Sequence, residues 1–436
     1  MTPSRRYGLD DTVERFDTTL VGGSPLRLFR LTSAGASVVD RIARGDPVGP
    51  SPLVDRLLDA GAIHPVVGAD DGGPFTSDDV TIVVPTLGEP ARVPAGAVVV
   101  DDGSVPPVDA ATVRLDVNRG PGAARNAGLA TVTTPLVAFV DADVALTDGT
   151  AGPGVGGWLD LLLPHFTDPH VALVAPRVRT ALDDATGFLG RYEQRHGPLD
   201  MGECAARVRS GSRVPYVPSA AMLVRVDALR SVGGFDESLR FGEDVDLCWR
   251  LDDAGWHVRY EPAAVVHHEP RGSVAAWLRQ RVDYGSSAAA LARRHPRRLA
   301  PVRISPWSGL AWLLGALRRP LLATAVGAAS AAALVPKLPD VPARAAFGLA
   351  ANGNLHAGAQ LAAGVRRVWF PLVAVAALRS RTARRVALAA LVAARDPVRI
   401  VDDLAYCAGV WRGMFHRRTL DPILPDLGSW PGRAGA

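Results

Sequence analysis

Leu136-Val-Ala-Phe-Val-Asp-Ala-Asp143 is the stretch that decides the fold. Five apolar residues run without interruption into two acids separated by one alanine. Such a run predicts a strand buried on both faces, as in a parallel sheet covered by helices. Acids at its C-terminal end fall on the edge where open α/β sheets bind their ligands. Upstream, Val80-Thr-Ile-Val-Val-Pro85 and Ala97-Val-Val-Val100 read as two more strands, the second ending in Asp101-Asp-Gly-Ser104. Arg114-Leu-Asp-Val117, Val171-Ala-Leu-Val-Ala175, Ala220-Ala-Met-Leu-Val224 and Ala263-Ala-Val-Val266 continue the series. Strands alternating with helical patterns predict an α/β architecture.

Around this core the composition changes twice along 436 residues. Residues 1–72 form a small unit that ends in a Gly/Asp stretch read as a linker. Residues 78–285 hold the strand–helix alternation, and 300–420 are Ala/Leu-rich and helical, with a Pro/Gly-rich tail beyond Pro422. Net charge is +4, and Lys337 is the only lysine among 48 basic residues. That arginine bias suits a codon preference better than a nucleic-acid footprint, so no nucleic-acid partner is expected. Cys204, Cys248 and Cys407 lie far apart, which argues against a disulfide scaffold and a Cys-ligated zinc site. The N-terminus carries acids early and lacks the apolar run of a secretory signal, so a cytoplasmic chain is expected.

Several short motifs sit where the strands end. Asp101 and Asp102 can accept hydrogen bonds from a nucleobase or a ribose, and Gly103 permits the turn that presents them. Plain strand-ending turn chemistry explains them equally well. Asn118-Arg-Gly-Pro-Gly-Ala-Ala-Arg-Asn-Ala-Gly128 opens a helix whose N-terminus favours an anion. It fits neither G-x-G-x-x-G nor the P-loop, which disfavours dinucleotide binding and ATP hydrolysis. Asp141 and Asp143 can hold a hard divalent cation through carboxylate oxygens. Glu243 and Asp244, in Phe241-Gly-Glu-Asp-Val-Asp246, open a further helix, either as caps or as a general base. His267 or His268 can complete a cation's shell. Arg279, Gln280 and Arg281 offer donors to a diphosphate, or form a solvated basic helix face.

The ordered set resembles an inverting family 2 glycosyltransferase of GT-A fold: Pro85-Thr86, DDGS, N-R-G-x-G-x-A-R-N, DAD, GGFDE, GEDVD and a late histidine. The resemblance covers residues 78–285, and it implies a Rossmann-like nucleotide-diphospho-sugar transferase sheet. It also implies roles. Thr86, Asp101, Asp102, Asn118 and Arg125 would hold the donor nucleoside, with Asp141 at the ribose or metal side. Asp143 and His267 or His268 would bind Mg²⁺ or Mn²⁺ on the donor diphosphate. Asp244 would be the general base, Glu243 would orient a sugar, and Asp236 would lie on the acceptor side. The Q-x-x-R-W motif of processive members is absent, since Arg281-Val-Asp-Tyr follows Gln280. Long-chain polymerisation is therefore not expected.

Leu31–Asp40 and Leu53–Pro65 read as two short helices and a turn, with Thr32 or Ser33 as the first cap. They resemble a small PqqD-like, winged-helix-like peptide-recognition domain. Such a unit fused to a family 2 transferase resembles the glycosyltransferases of the mycofactocin redox-cofactor system. The implied donor is a UDP-hexose, with UDP-glucose first, and the implied acceptor is a peptide-derived precursor. A peptide or carrier partner at the N-terminal unit follows from the same resemblance. Rhamnosyl or galactofuranosyl transfer in cell-wall glycolipid assembly is the alternative within the class, and a non-catalytic peptide-binding scaffold is the alternative outside it. In the C-terminal third, weakly apolar segments flanked by arginine pairs predict association with the inner face of the cell membrane. The pattern leaves open whether residues 304–395 span it, lie on it or form a soluble helical domain.

Overall fold

A computed structural model describes residues 4–68, 71–90, 93–146, 157–181, 187–269 and 273–428. The end of the Pro/Gly-rich tail, 429–436, and linker residues Ala69 and Asp70 lie outside the described residues. The chain forms two compact units, one of residues 1–14, 21–27 and 31–271, the other of 15–20, 28–30 and 272–436.

The first unit is built on a nine-stranded mixed sheet. Its strands are β1 (Val80–Thr86), β2 (Val98–Asp102), β3 (Val113–Leu115), β4 (Leu136–Val140), β5 (Val144–Leu146), β6 (Val171–Thr180), β7 (Ala206–Val208), β8 (Ala221–Arg225) and β9 (His257–His268). The order is β5-β9-β6-β8-β4-β1-β2-β3, with β7 pairing β9. Strands β4, β1, β2 and β3 are mutually parallel, and β8 runs antiparallel to both β4 and β6. The parallel half therefore delivers the C-terminal ends of β1, β2 and β4 to one edge. Every residue of β4 is buried, as its unbroken apolar run requires. Leu136, Ala138 and Val140 pack into one core with Trp158, Leu162 and Phe166. The helix α1 (Pro121–Leu129) covers β1 and β2, and α2 (Glu243–Asp253) follows the GGFDE turn.

Strand β9 is far longer than the apolar Ala263–Val266 run that announces it. Arg259 and Glu261 interrupt the apolar pattern, yet both are buried. Arg259 donates to Asp168 at 2.7 Å, and Glu261 meets His165 at 3.1 Å. Paired charges tolerate burial that single ones do not.

The same unit contains the N-terminal strand Tyr7–Leu9, paired antiparallel with Ile63–Pro65, and the helices Ser33–Ala43 and Pro52–Asp59. Thr32 caps the first, accepting from Gly35 N at 3.1 Å, and Ser51 caps the second.

The second unit is mostly helical: α3 (Val274–Arg294), α4 (Pro306–Ala316), α5 (Pro320–Leu334), α6 (Ala343–Gly364), α7 (Phe370–Ala377), α8 (Arg381–Val392) and α9 (Pro397–Arg417). Helices α3 and α9 form its centre. Buried ion pairs tie it together: Arg281 to Asp402 at 3.0 Å and Arg366 to Asp403 at 2.7 Å.

Candidate active site

Four acids, an arginine and a histidine from separate segments gather where the parallel strands end. Strand β2 sets the first wall. Asp102 accepts from Arg119 N at 2.7 Å and from Gly120 N at 2.8 Å. Its carboxylate thus pins the loop that leads into α1. Asp101 is fully buried, and its oxygens take Ser104 N at 2.8 Å, Val108 N at 3.2 Å and the Arg114 guanidinium. Burial works to raise its pKa, but the hydrogen bonds from Ser104 and Val108 and the Arg114 charge hold it below the ordinary value. Asp101 therefore faces the loop after β2, where it shapes the rim.

Gly103 has φ +77°, and a Cβ there would lie 2.5 Å from Asn118 N. Only glycine lets the DDGS turn meet the Asn118 segment. Thr86 Oγ1 donates to Gly88 O at 2.6 Å, and Ser104 Oγ accepts from Gly88 N at 2.8 Å. Thr86, Asp102 and Asn118 are thereby drawn to one corner.

Strand β4 and helix α2 set the opposite wall, and Arg125 joins them. From the second turn of α1 its guanidinium donates to Asp141 Oδ1 at 2.7 Å and to Glu243 Oε1 at 2.9 Å. The Phe235 ring lies against it, 5.5 Å from centroid to guanidinium carbon. Burial disfavours the Arg125 charge, but Asp141 and Glu243 more than offset that, and its pKa is raised. Burial likewise raises the pKa of Asp141 and of Glu243, with Arg125 pulling each back.

Glu243 and Asp244 do not cap α2. The cap is Gly242, left-handed at φ +81° and without a side-chain bond. Glu243 is held by Arg125 and by Ser219 Oγ at 3.4 Å. Asp244 Oδ1 accepts from Val245 N at 2.8 Å, while Oδ2 has only a long contact to Ser219 N, 3.4 Å. Burial, with the Glu243 charge beside it, pushes Asp244 up to about 7. A carboxyl poised near neutrality with one weakly engaged oxygen suits a general base.

The end of β9 brings a histidine. Antiparallel pairing of β5 with β9 sets His268 opposite Val144. His268 Nε2 then lies 3.1 Å from Asp143 Oδ2. His267 points to the other face of the strand by the alternation of the pleat. Burial and Arg179 lower its pKa. A carboxylate oxygen and an imidazole nitrogen at this separation fit a divalent cation such as Mg²⁺ or Mn²⁺. Among the described residues no three His, Cys, Asp or Glu side chains form a closed cage. The two protein donors leave coordination positions for diphosphate oxygens.

Other expected residues have different surroundings. Asp236 caps its own turn, accepting from Ser238 N at 2.8 Å. Arg279, Gln280 and Arg281 lie on α3 of the second unit. There Gln280 bonds Tyr284, and the buried Arg281 pairs with Asp402. Asn126 and Ser219 are additions to the site. Asn126 clamps the GGFDE turn through Phe235 N and O, both at 2.9 Å, and reaches Glu237 at 3.0 Å. Its place in Arg-Asn, one residue after Arg125, was the available signal.

Residues 97–183 match the family described as glycosyl transferase family 2, and residues 157–351 match glycosyl transferase family group 2. These matches define a family 2 glycosyltransferase, which the sheet and the site fit. Along its length the chain is 38% identical to the pre-mycofactocin glycosyltransferase of Mycobacterium tuberculosis, covering 94% of both chains. It belongs to that family within the family 2 glycosyltransferases. It is also 29% identical to the succinoglycan biosynthesis protein ExoA of Rhizobium meliloti, over 45% of this chain and 48% of that one. A slight structural likeness, TM-score 0.42 at 16% identity, links it to the mannosyltransferase PcManGT of Pyrobaculum calidifontis, over 78% of this chain and 87% of that one.

Proposed function

We propose that this glycosyltransferase moves a hexose from a nucleotide-diphosphate sugar, UDP-glucose being the expected donor, to a peptide-derived redox-cofactor precursor of the mycofactocin pathway. The observation that carries the acceptor is the 38% identity over nearly the whole of both chains to a transferase named for that precursor. The site supports the chemistry. The nucleoside would lie at the Thr86, Asp102 and Asn118 corner. Asp143 and His268 would hold Mg²⁺ or Mn²⁺, which when bound neutralises charge on the donor diphosphate.

The acceptor hydroxyl would approach Asp244 Oδ2. That oxygen takes the proton as the hydroxyl oxygen bonds the anomeric carbon. The bond from that carbon to the diphosphate oxygen breaks on the opposite side, and its electron pair leaves with the nucleoside diphosphate. One displacement of this kind inverts the anomeric centre. Arg125 holds Asp141 and Glu243 in place while Asp244 cycles its proton, which is preorganised electrostatics. We further propose that the N-terminal unit recognises a peptide or carrier, and that the enzyme works at the inner face of the membrane.

The test is mass spectrometry of the purified full chain with the peptide-derived precursor and, in parallel, UDP-glucose, dTDP-rhamnose and UDP-galactofuranose. A hexose mass increment from UDP-glucose, dependent on Mg²⁺ or Mn²⁺, is expected. Transfer only from one of the other two donors would overturn the donor assignment. No transfer to the precursor from any donor would overturn the acceptor.

A further inference from the structure

Between Pro301 and Arg395 the sequence has eleven arginines and Lys337 against one acid, Asp340. The same stretch exposes much of the large apolar surface of the second unit. Two helical hairpins share one design. In the first, α4 packs on α5 across the turn Arg318-Arg319, and Leu313, Leu317, Leu321 and Leu322 are exposed around that turn. In the second, α7 packs on α8 across Arg379-Ser-Arg381, with Val375, Leu378 and Leu388 exposed. Leu321 and Leu378 are 86% and 78% exposed, where a soluble helix would put polar residues. Arg384 and Arg385 are exposed on α8.

Length argues against crossing. A hydrocarbon core of about 30 Å needs about 20 helical residues. Helix α4 has 11 residues and α8 has 12; α7 continues α6 through the π-helical segment Val365–Trp369, where the buried Arg366 pairs with Asp403, so only the 8 residues of α7 form an uncharged end to that helix. The longest apolar candidate, Pro320–Lys337, has 18 residues at a modest mean hydropathy of 1.3. It packs on α4, too short to return across a bilayer, and on α6, which carries Asn352, Asn354, His356 and Gln360. Apolar hairpin tips flanked by arginines suit the headgroup boundary of one leaflet, and Trp307 is half-exposed at the far end of α4.

We infer that the helical unit lies in the plane of an anionic lipid leaflet, its two hairpin turns buried at the acyl boundary and the exposed arginines of those hairpins on lipid phosphates. The inference rests on the membrane association proposed above and gives it a mode and a lipid. It is independent of which sugar or acceptor the site takes.

The experiment is flotation of the purified full chain with preformed vesicles, either pure phosphatidylcholine or phosphatidylcholine mixed with phosphatidylglycerol. Binding at least about tenfold stronger on the anionic vesicles, and weakened by salt, is expected. Carbonate at alkaline pH should release the protein. Arg384→Glu with Arg385→Glu should lose about tenfold or more in binding. Leu321→Ser with Leu378→Ser should weaken it while the circular dichroism spectrum is unchanged. Bromine near the headgroup should quench tryptophan fluorescence more than bromine deep in the chain, and Trp307→Phe should reduce that quenching. Equal binding to neutral vesicles, or resistance to carbonate, would overturn the mode and leave membrane association standing. Binding to neither vesicle, with or without self-association in solution, would overturn both.

Discussion

Replacing Asp244 by Asn separates the chemistry of this site from its stability. The folded aspartate ionises near 7, against an ordinary value of 3.8. Between those values the folded chain holds a proton that the unfolded chain has released, so stability falls as pH rises through the window. Fully counted, that difference is about 4 kcal/mol above pH 7. Asp244 is only half-buried, and water screens part of the effect, so about 2 kcal/mol is the working figure. Asparagine keeps an oxygen for the Val245 amide and carries no charge. Asp244→Asn should therefore match the parent in thermal melts near pH 4.5 and melt about 4–8 °C higher at pH 8. Turnover with UDP-glucose and acceptor should drop about 10²–10⁴-fold, the usual contribution of a general base. In the parent enzyme kcat/KM should rise with pH and level off above about 7. A variant that retains turnover would exclude Asp244 as the base, and one that melts below the parent at pH 8 would exclude its raised pKa.

Arg125→Met leaves Asp141 and Glu243 without their shared partner, and urea unfolding should show a loss of about 3–5 kcal/mol. Arg125→Lys should recover part of that stability and little activity, because one ammonium cannot reproduce the two-armed contact. His268→Ala should raise the Mn²⁺ concentration needed for half-maximal turnover by at least about tenfold, whereas His267→Ala should leave it near the parent's; equal effects would mean that the β5–β9 register is misread. Gly128→Ala places a Cβ 2.4 Å from Val83 Cγ1, and thermal melts should register a loss of about 1–3 kcal/mol.

The parallel half of the sheet was legible where its strands are buried on both faces and so are written as unbroken apolar runs, Leu136–Val140 above all. Their ends were legible too, since acids following such runs have one edge to occupy. The site's internal wiring was not. Arg125 and Glu243 are 118 residues apart, and nothing local in either segment marks the other as its partner. Asp101 and Asp102 read alike as an acidic pair, yet one turns inward to the Ser104 loop and the other pins the loop to α1, a difference set by strand alternation and tertiary contacts. Strand β9 was half hidden because Arg259 and Glu261 break its apolar pattern, and only their partners Asp168 and His165 make them core residues. The short strands Val144–Leu146 and Ala206–Val208 exist only through pairing with β9, and three residues carry too little periodicity to announce it.

The central claim is that the Asp143–His268 pair and the Glu243–Asp244 pair face one cleft across Arg125. The most direct measurement is an anomalous difference map from a crystal of the full chain soaked with Mn²⁺ and UDP. One strong peak bonded to Asp143 and His268 is expected, with diphosphate oxygens completing its shell and the uridine at the Thr86–Asp102 corner. A peak held by other side chains, or UDP bound away from Asp143, would contradict it.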